Sequence, residues 1–402
     1  MTLPATSPHA TIDIESLGLD QGAHWLIKRA LSDIEAGQVL AVDGRSPDWQ
    51  GHLRSWCRQH GHAVHFAASP DRAFITRGSS QQGRWTDASR SGTHAQSTVA
   101  EHAAPAWGLA ARGATIEAGG PVFDFRFNGK SEVWAETASN LYQQALAGQW
   151  DPAQAIDWSV PVELPSEVED AVVQVMTYLI ENENAALLVP ARHLGQIHPH
   201  FREVIQLLAI QCADEARHVE VFTRRAGLQR SQAALSSAGG QASLKTLFER
   251  SDFSSSVFLL SVLGEGSFVN LLNFLHEFAP DPLTRQIARL VARDEGRHVA
   301  FGMAHLEYRL AQEPAYLSVL QNAIEQRHDE LAATAGLNEE VFDALILLAA
   351  GSSTLAAIKL GFARVQQLIR DMGQGRTARL IRLGFSQDDA RRLSDLHTRN
   401  FM

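Results

Sequence analysis

Two five-residue phrases hold the residue types that could do chemistry: Asp214-Glu215-Ala216-Arg217-His218 and Asp294-Glu295-Gly296-Arg297-His298. Glu and His three apart on a helix are neighbours on one face, so each phrase can offer a carboxylate oxygen and an imidazole nitrogen to one metal ion. Two copies point to two ions. A lone Glu-x-x-His is common on helix surfaces, but the surroundings here are apolar. Leu208, Cys212, Val219 and Phe222 lie at one-turn spacings around Glu215, and Ala288, Val291, Ala292 and Val299 around Glu295. Both acids therefore sit in core-facing stripes. A buried carboxylate without a partner is costly.

Each phrase is preceded by one more such acid. Glu183 has Met176, Leu179, Ile180, Ala186 and Leu187 on its face, whereas nearby Glu181 has Gln174, Thr177, Tyr178 and Asn184, so Glu183 points inward. Glu265 is flanked in the same way by Phe258, Val262, Phe268, Val269 and Leu272. The turn signals His198-Pro199-His200 and Pro280-Asp281-Pro282 fall midway between the two acids of each half, so each half reads as an antiparallel helical hairpin. Packed together, the hairpins bring four Glu and two His to one buried point, with two metal ions as the natural occupant.

The repeated Glu, then Asp-Glu-x-Arg-His, resembles the ferritin-like di-iron carboxylate proteins over residues 165–310, and Gly264-Glu265-Gly266-Ser267-Phe268-Val269-Asn270 is similar to the third ligand helix of bacterial multicomponent monooxygenase hydroxylases. The resemblance implies that Glu183, Glu215 and His218 serve one half of the centre and Glu265, Glu295 and His298 the other, with Glu215 and Glu295 bridging at the reacting metals. It further implies that Asp214 and Asp294 accept hydrogen bonds from the ligand imidazoles and that Arg217 and Arg297 pair with those acids. Three positions depart from particular relatives. Phe222 stands where ribonucleotide reductase small subunits have a radical tyrosine, Val291 where arylamine N-oxygenases have an extra His, and Val269 where the monooxygenases have a threonine.

The elements that must position these residues follow from the rest of the chain. It has 402 residues, is 45% hydrophobic and carries a net charge of −10, too acidic for a nucleic-acid binder. Met1-Thr2-Leu3-Pro4 shows no secretory pattern, and two cysteines, Cys57 and Cys212, suit a reducing cytoplasm. The most apolar stretch, residues 344–360, is broken by Gly351-Ser352-Ser353-Thr354 and is too short to span a bilayer. The expectation is a cytoplasmic protein with no membrane partner.

Residues 1–78 are expected to hold a small α/β module, with strands near Ile12, Val39–Val42, Val64 and Phe74 and helices over Ala23–Ile34 and Trp49–His60, the helices ended by Gly37 and Gly61. Leu17-Gly18-Leu19, Gly37-Gln38-Val39-Leu40-Ala41-Val42, Trp56-Cys57 and Gly61-His62-Ala63-Val64 give it a resemblance to the TusA-type sulfur-carrier fold. Gln21-Gly22 stands where that family has its persulfide-bearing Cys-Pro, so a docking or regulatory role is expected instead. Residues 79–120 read as a linker, and residues 121–402 as the helical domain. Within it, Val122–Phe127 alternates like a strand, and a helix capped by Ser131 runs to Ala147, with Glu132 and Glu136 solvated. Pro190 is expected to kink its helix and open a substrate path. His193, His198, His200, His276 and His305 read as caps or exposed residues. A long crossover over residues 229–241 joins the hairpins. Helices near Ala315–Ala333, Glu339–Asp371 and Gln387–Arg399, the last capped by Ser386, cover the bundle and supply a homodimer surface.

The fold class is thus mainly α: a ferritin-like four-helix bundle with extra helices behind a small α/β module. The chemistry expected of it is that of an O2-dependent non-haem di-iron oxygenase or oxidase, with iron, manganese or a mixed pair. Its expected partners are a small organic substrate and electrons from a reductase or ferredoxin, since no flavin or nicotinamide fingerprint is present. Leu187, Leu208, Cys212, Phe222, Phe268, Val269 and Leu272 are the expected pocket walls. The alternatives are ferritin-like ferroxidase and metal storage, or a non-catalytic scaffold subunit.

Overall fold

A computed structural model describes residues 7–80, 82–92, 99–332 and 339–397. The reading of Met1–Pro4 and the expected helix ends at Ala333 and Arg399 lie outside these residues. Near the N-terminus the order is β1 (Ala10–Asp13), α1 (Ala23–Ser32), β2 (Val39–Asp43), α2 (Trp49–Gln59), β3 (Ala63–Phe66) and β4 (Arg72–Thr76). The sheet order is β1-β2-β4-β3, with β1 parallel to β2 and the other pairs antiparallel. The unbroken apolar run of Val39–Val42 makes β2 an inner strand, buried along that run. Ile27, Leu31, Leu40, Val42, Leu53, Cys57 and Ile75 form the core. Gly37 and Gly61 take the positive φ angles of +87° and +70° at which a Cβ would clash. The Gln21 Oε1 accepts the Gly18 N–H at 3.2 Å, and Gly22 opens α1.

Residues up to Ser89, with Thr115–Gly120, form one compact unit, and Arg90–Ala114 with Pro121 onward form the second. The stretch 79–120, read as a linker, is therefore divided. Its middle belongs to the helical unit because an ion pair and small side chains do the anchoring that apolar periodicity would reveal. Arg112 is buried and meets Glu203 at 2.9 and 2.7 Å, and Ala103 packs with Phe127, Trp134 and Phe201.

The helical unit runs α3 (Lys130–Val133), α4 (Ala138–Ala147), α5 (Pro152–Ala155), α6 (Ser166–Leu194), α7 (Arg202–Ala226), α8 (Ala238–Phe248), α9 (Phe253–Val257), a π-helical segment Phe258–Glu265, α10 (Gly266–Phe278), α11 (Pro282–Gln312), α12 (Tyr316–Ala332), α13 (Glu339–Ala350), α14 (Leu355–Arg382) and α15 (Gln387–His397). The bundle consists of α6, α7, the continuous stretch Phe253–Phe278 and α11. Asp281 caps α11 by accepting the Thr284 N–H at 2.8 Å, which fixes the second turn. Gly302 of α11 leaves room for the π segment: a Cβ there would stand 2.9 Å from the Ser261 Cβ.

Several sequence expectations are corrected. Val122–Phe127 is no strand; only Phe127 bridges, to Ile197. The helix expected from Ser131 to Ala147 breaks after Val133, where Trp134 turns to extended backbone (ψ 148°), and Glu132 is not merely solvated, since its Oε2 accepts the Gly129 N–H at 2.7 Å. The crossover holds a helix of its own, α8. The segment Glu339–Asp371 is two helices, with Thr354 capping the second. Pro190 leaves α6 unbroken to Leu194. His193, His198, His200 and His305 are buried rather than exposed, although His198 does cap, accepting the His200 N–H at 3.0 Å. By length and composition Phe253–Phe278 is apolar enough to cross a membrane, and 83% of its most apolar window is buried in the core; α13 and α14 pass that test only together and are bent by 119°.

One end of the bundle is tied by charge. The Arg225 guanidinium is fully buried and donates to Glu169 of α6 at 2.7 and 2.9 Å, to Asp281 at 2.9 Å and to the Thr284 Oγ1 at 2.8 Å. Removing the cation strands two buried acids, so Arg225→Ala should lower stability by about 3–5 kcal/mol in denaturant unfolding of the metal-free protein. Acid provides a second check. Burial holds the His193, His200 and His305 imidazoles down at about 4. A base whose folded value is depressed gives full stability above its unfolded value near 6.5, and loses it as pH falls toward 4. Unfolding midpoints at pH 7 and pH 5 should show the loss, and His305→Asn should reduce the slope.

Candidate metal centre

The four acids and two imidazoles singled out from the sequence converge. Glu183, Glu215, Glu265, Glu295, His218 and His298 are each no more than 3% exposed. Donor atoms of Glu183, Glu215, His218 and Glu295 lie within 4.8 Å of one another, and so do those of Glu215, Glu265, Glu295 and His298. Glu215 and Glu295 belong to both sets. The buried groups are thus positioned to bind a di-metal site; His218 Nδ1 bonds Glu215 Oε2 at 3.0 Å, but most of the other facing atoms make no hydrogen bond. His298 Nδ1 stands 2.9 Å from Glu215 Oε1, yet neither atom makes a hydrogen bond, and Glu183 Oε1, Glu265 Oε2 and both Glu295 oxygens are also buried and unbonded. Buried polar atoms are normally bonded; a set that shares one small space and leaves an oxygen of every acid unbonded suits cations.

The electrostatics agree. Burial, followed by the charges of Glu295 and Glu215, pushes the Glu183 carboxyl well up, and burial with Glu295 does the same to Glu265. Burial also acts to raise Glu215, but the His298 and His218 imidazoles more than offset it and hold that carboxyl well below its usual range. Burial alone would lower both imidazoles. The facing acids prevail and raise them well above the ordinary value, led by Glu183 for His218 and by Glu215 for His298. Each half of the site answers excess negative charge by gathering positive charge.

Around the six runs a frame of hydrogen bonds that crosses between the two phrases. His218 Nε2 donates to Asp294 at 3.3 Å, and His298 Nε2 donates to Asp214 at 3.4 Å. Each Asp thus serves the imidazole of the other phrase, which leaves Nδ1 of both rings on the side of the acids. Arg217 bonds Asp214 and, at 2.9 Å, Asp294; Arg297 bonds Asp294 at 2.5 Å and Asp214 at 3.3 Å. Gln149 and Trp150 complete the frame and were not found from the sequence. Gln149 Nε2 donates to Asp214 at 2.8 Å, Trp150 Nε1 donates to Asp294 at 2.7 Å, and the Arg217 guanidinium lies 4.7 Å from the Trp150 ring. No periodicity marks them, because they sit in the turn after α4.

Glu265 ends the π segment, in which the Gly266 N–H reaches the Ser261 carbonyl five residues back. Such segments hold an extra residue per turn and recur at functional sites. Gln211, one turn before Glu215, approaches Glu265 Oε1 at 3.4 Å; the same i, i+4 spacing that flagged Glu215 could have found it. Gln211 and Ser261 also line a small cavity of about 10 Å³ with Pro190, His193, Leu208, Phe253, Val257 and Phe301. That is room for about one water. Of the seven expected pocket walls only Leu208 lines it; Phe222, Phe268 and Leu272 belong to the packed core.

No protein-family model matches this chain, and no curated protein does. Solved structures similar to it include a mutant R2-like ligand-binding oxidase with aerobically reconstituted Mn/Fe cofactor (19% identity, 66% of this chain and 92% of that one, TM-score 0.44). A second mutant with Fe/Fe cofactor shares 18% identity over 63% and 95% of the two chains, TM-score 0.49. The same oxidase without metal shares 18% over 62% and 97%, TM-score 0.47.

Outer hydrogen bonds tune ligand basicity, and their loss weakens metal binding by about 10–100-fold. Asp294→Asn should show that range in chelator competition with Mn(II). Glu295→Ala removes an acid common to both donor sets, so the metal titration endpoint should fall from two ions per chain to one or none.

Proposed function

We propose that the protein is an O2-dependent di-metal oxidoreductase, of oxidase or oxygenase type, acting on a small organic substrate. Two iron ions, or an iron and manganese pair, would be held by Glu183, Glu215 and His218 on one side and by Glu265, Glu295 and His298 on the other. One observation carries the reading: Glu215 and Glu295 each fall in both donor sets, so two ions would share two carboxylates. Bound in reduced form, such a pair supplies electrons to O2.

The chain's own residues do the rest. Four carboxylates favour the higher charge of an oxidised pair, and the Asp214, Asp294, Arg217 and Arg297 frame holds both imidazoles in the tautomer that presents Nδ1. Val189, Leu208, Phe253, Val257, Leu260 and Phe301 wall the adjacent cavity and limit the water it can hold. A substrate larger than one water must part these walls. Electrons to reset the centre would come from an external reductase or ferredoxin. The N-terminal module we read as a docking or regulatory element. Its Gln21-Gly22 turn lacks a thiol, and burial pushes the Cys57 thiol up to about 12, which removes it as a nucleophile.

Anaerobic loading with Fe(II), followed by O2 exposure under optical and Mössbauer observation, tests the reading. The expected result is two irons per chain, O2 consumption and a coupled spectral change, all lost in Glu215→Ala. Many irons per chain would reassign the protein to storage. Two irons with no O2 uptake would sink the proposal.

A further inference from the structure

Among the side chains that line the small cavity, four are polar: His193 of α6, Gln211 of α7, Ser256 of α9 and Ser261 of the π segment. None of them is more than 3% exposed. An apolar cavity stays dry, whereas a space of this size, about 10 Å³, takes a water when several polar groups face it.

Two of the four bear on a metal ligand. Gln211 Nε2 approaches Glu265 Oε1 at 3.4 Å, which is long for a hydrogen bond, and Glu265 Oε2 makes none. Burial and the facing Glu295 raise the Glu265 carboxyl, and the Ser261 hydroxyl one turn earlier acts the other way, as a hydrogen-bond donor does. The ligand imidazoles are held more firmly, each by an Asp of the other phrase. Direct contacts alone leave the Glu265 carboxyl loosely fixed.

The other two lie on the far side of the cavity from the ligands' own hydrogen bonds. His193 Nε2 meets the Ser256 Oγ at 3.1 Å and is approached by the Arg192 guanidinium at 3.4 Å, while Nδ1 is buried and makes no hydrogen bond. Ser256 is already engaged, its Oγ donating to the Arg250 carbonyl at 3.0 Å. Gln196 also bears on the His193 ring, but its Oε1 is likewise unbonded. Burial, then Arg192 and Arg126, holds the His193 imidazole at about 4, so the ring is neutral at pH 7 and Nδ1 is free to meet a water as donor or acceptor.

We propose that the cavity is a water site, and that one water held by Ser261, Gln211 and His193 Nδ1 orients the Glu265 carboxylate. The water gives the buried Nδ1 the partner it lacks and gives Gln211 and Ser261 a common one. His193, which bonds none of the six ligands, thereby becomes a positioning residue for one of them. A line of hydrogen bonds then runs from Arg192, in the last turn of α6, through the imidazole and the water to the half of the centre made by Glu265 and His298. The inference rests on the two-ion reading of that centre, not on its reaction with O2.

A high-resolution crystal structure of the metal-free full chain tests the site. One ordered water within hydrogen-bonding distance of the Ser261 Oγ, the Gln211 amide and His193 Nδ1 is expected. An empty cavity, or Nδ1 bonded to Gln196 with no water present, would overturn the proposal. Mn(II) titration tests the positioning: Ser261→Ala and His193→Phe should each weaken one of the two ions about tenfold, as loss of an outer hydrogen bond does, and leave the other unchanged. Equal weakening of both ions, or of neither, would count against it. A third readout guards against a merely unsettled fold. The ¹⁵N resonance of His193 Nδ1 should move in Ser261→Ala, a change on another helix, and an unmoved resonance would sink the water link. Should the wild-type chain bind no pair of ions, the metal reading falls, and the crystallographic water and the Nδ1 resonance still decide whether the site exists.

Discussion

Four carboxylates pressed into one bundle core repel one another, and the rest of the structure is organised around that repulsion. In a low-dielectric interior like charges a few ångströms apart interact strongly, and each acid also carries its own desolvation cost. The protein does not relieve the strain with cationic side chains at the centre. Arg217 and Arg297 stop one layer out, on Asp214 and Asp294, and only two imidazoles reach the acids themselves. What remains is negative charge shaped for cations of small radius, with unbonded oxygens on all four acids.

The outer layer explains why the two phrases are copies. Because His218 bonds Asp294 and His298 bonds Asp214, the outer nitrogen of each imidazole is held by the other phrase, and each needs the other helix in register. A shift of α7 against α11 by one turn would break two histidine bonds and two arginine bonds together. Asp and Arg in these phrases therefore set helix register as well as ligand tautomer, and the buried Arg225 group fixes the same two helices at their far end. Charge is used here for geometry more than for net stability, which buried ion pairs rarely supply.

The inward acids were legible because period 3.6 sorts Glu183 from Glu181 and because turn residues fall midway in each half. The strands of the N-terminal module were legible for a similar reason: alternation and glycine stops are local signals. What was not legible depends on partners distant in sequence. Val122–Phe127 alternates like a strand but has no neighbouring strand to pair with, and residues 90–114 show no apolar period because Arg112 anchors them by charge. Of the expected pocket walls only Leu208 lines the cavity. Phe253–Phe268 is buried on every face, so an apolar stripe there does not distinguish a cavity wall from packing.

The π segment shows how a local irregularity can follow from global demand. Between Phe253 and Phe268 the chain must bury an apolar surface all round, let Gly302 approach Ser261, and still aim Glu265 at the same point as three acids on other helices. A regular helix fixes the angle between residues 258 and 268 at about 100° per residue, and widening the turn over Phe258–Glu265 resets it. The residues released from that regular spacing are Ser261, set toward the cavity, and Gly266, set under the Arg379 guanidinium. One helical defect therefore adjusts a ligand on its inner side and makes room for a cation on its outer side, which makes Glu265 the ligand whose position the surrounding helices can most readily alter.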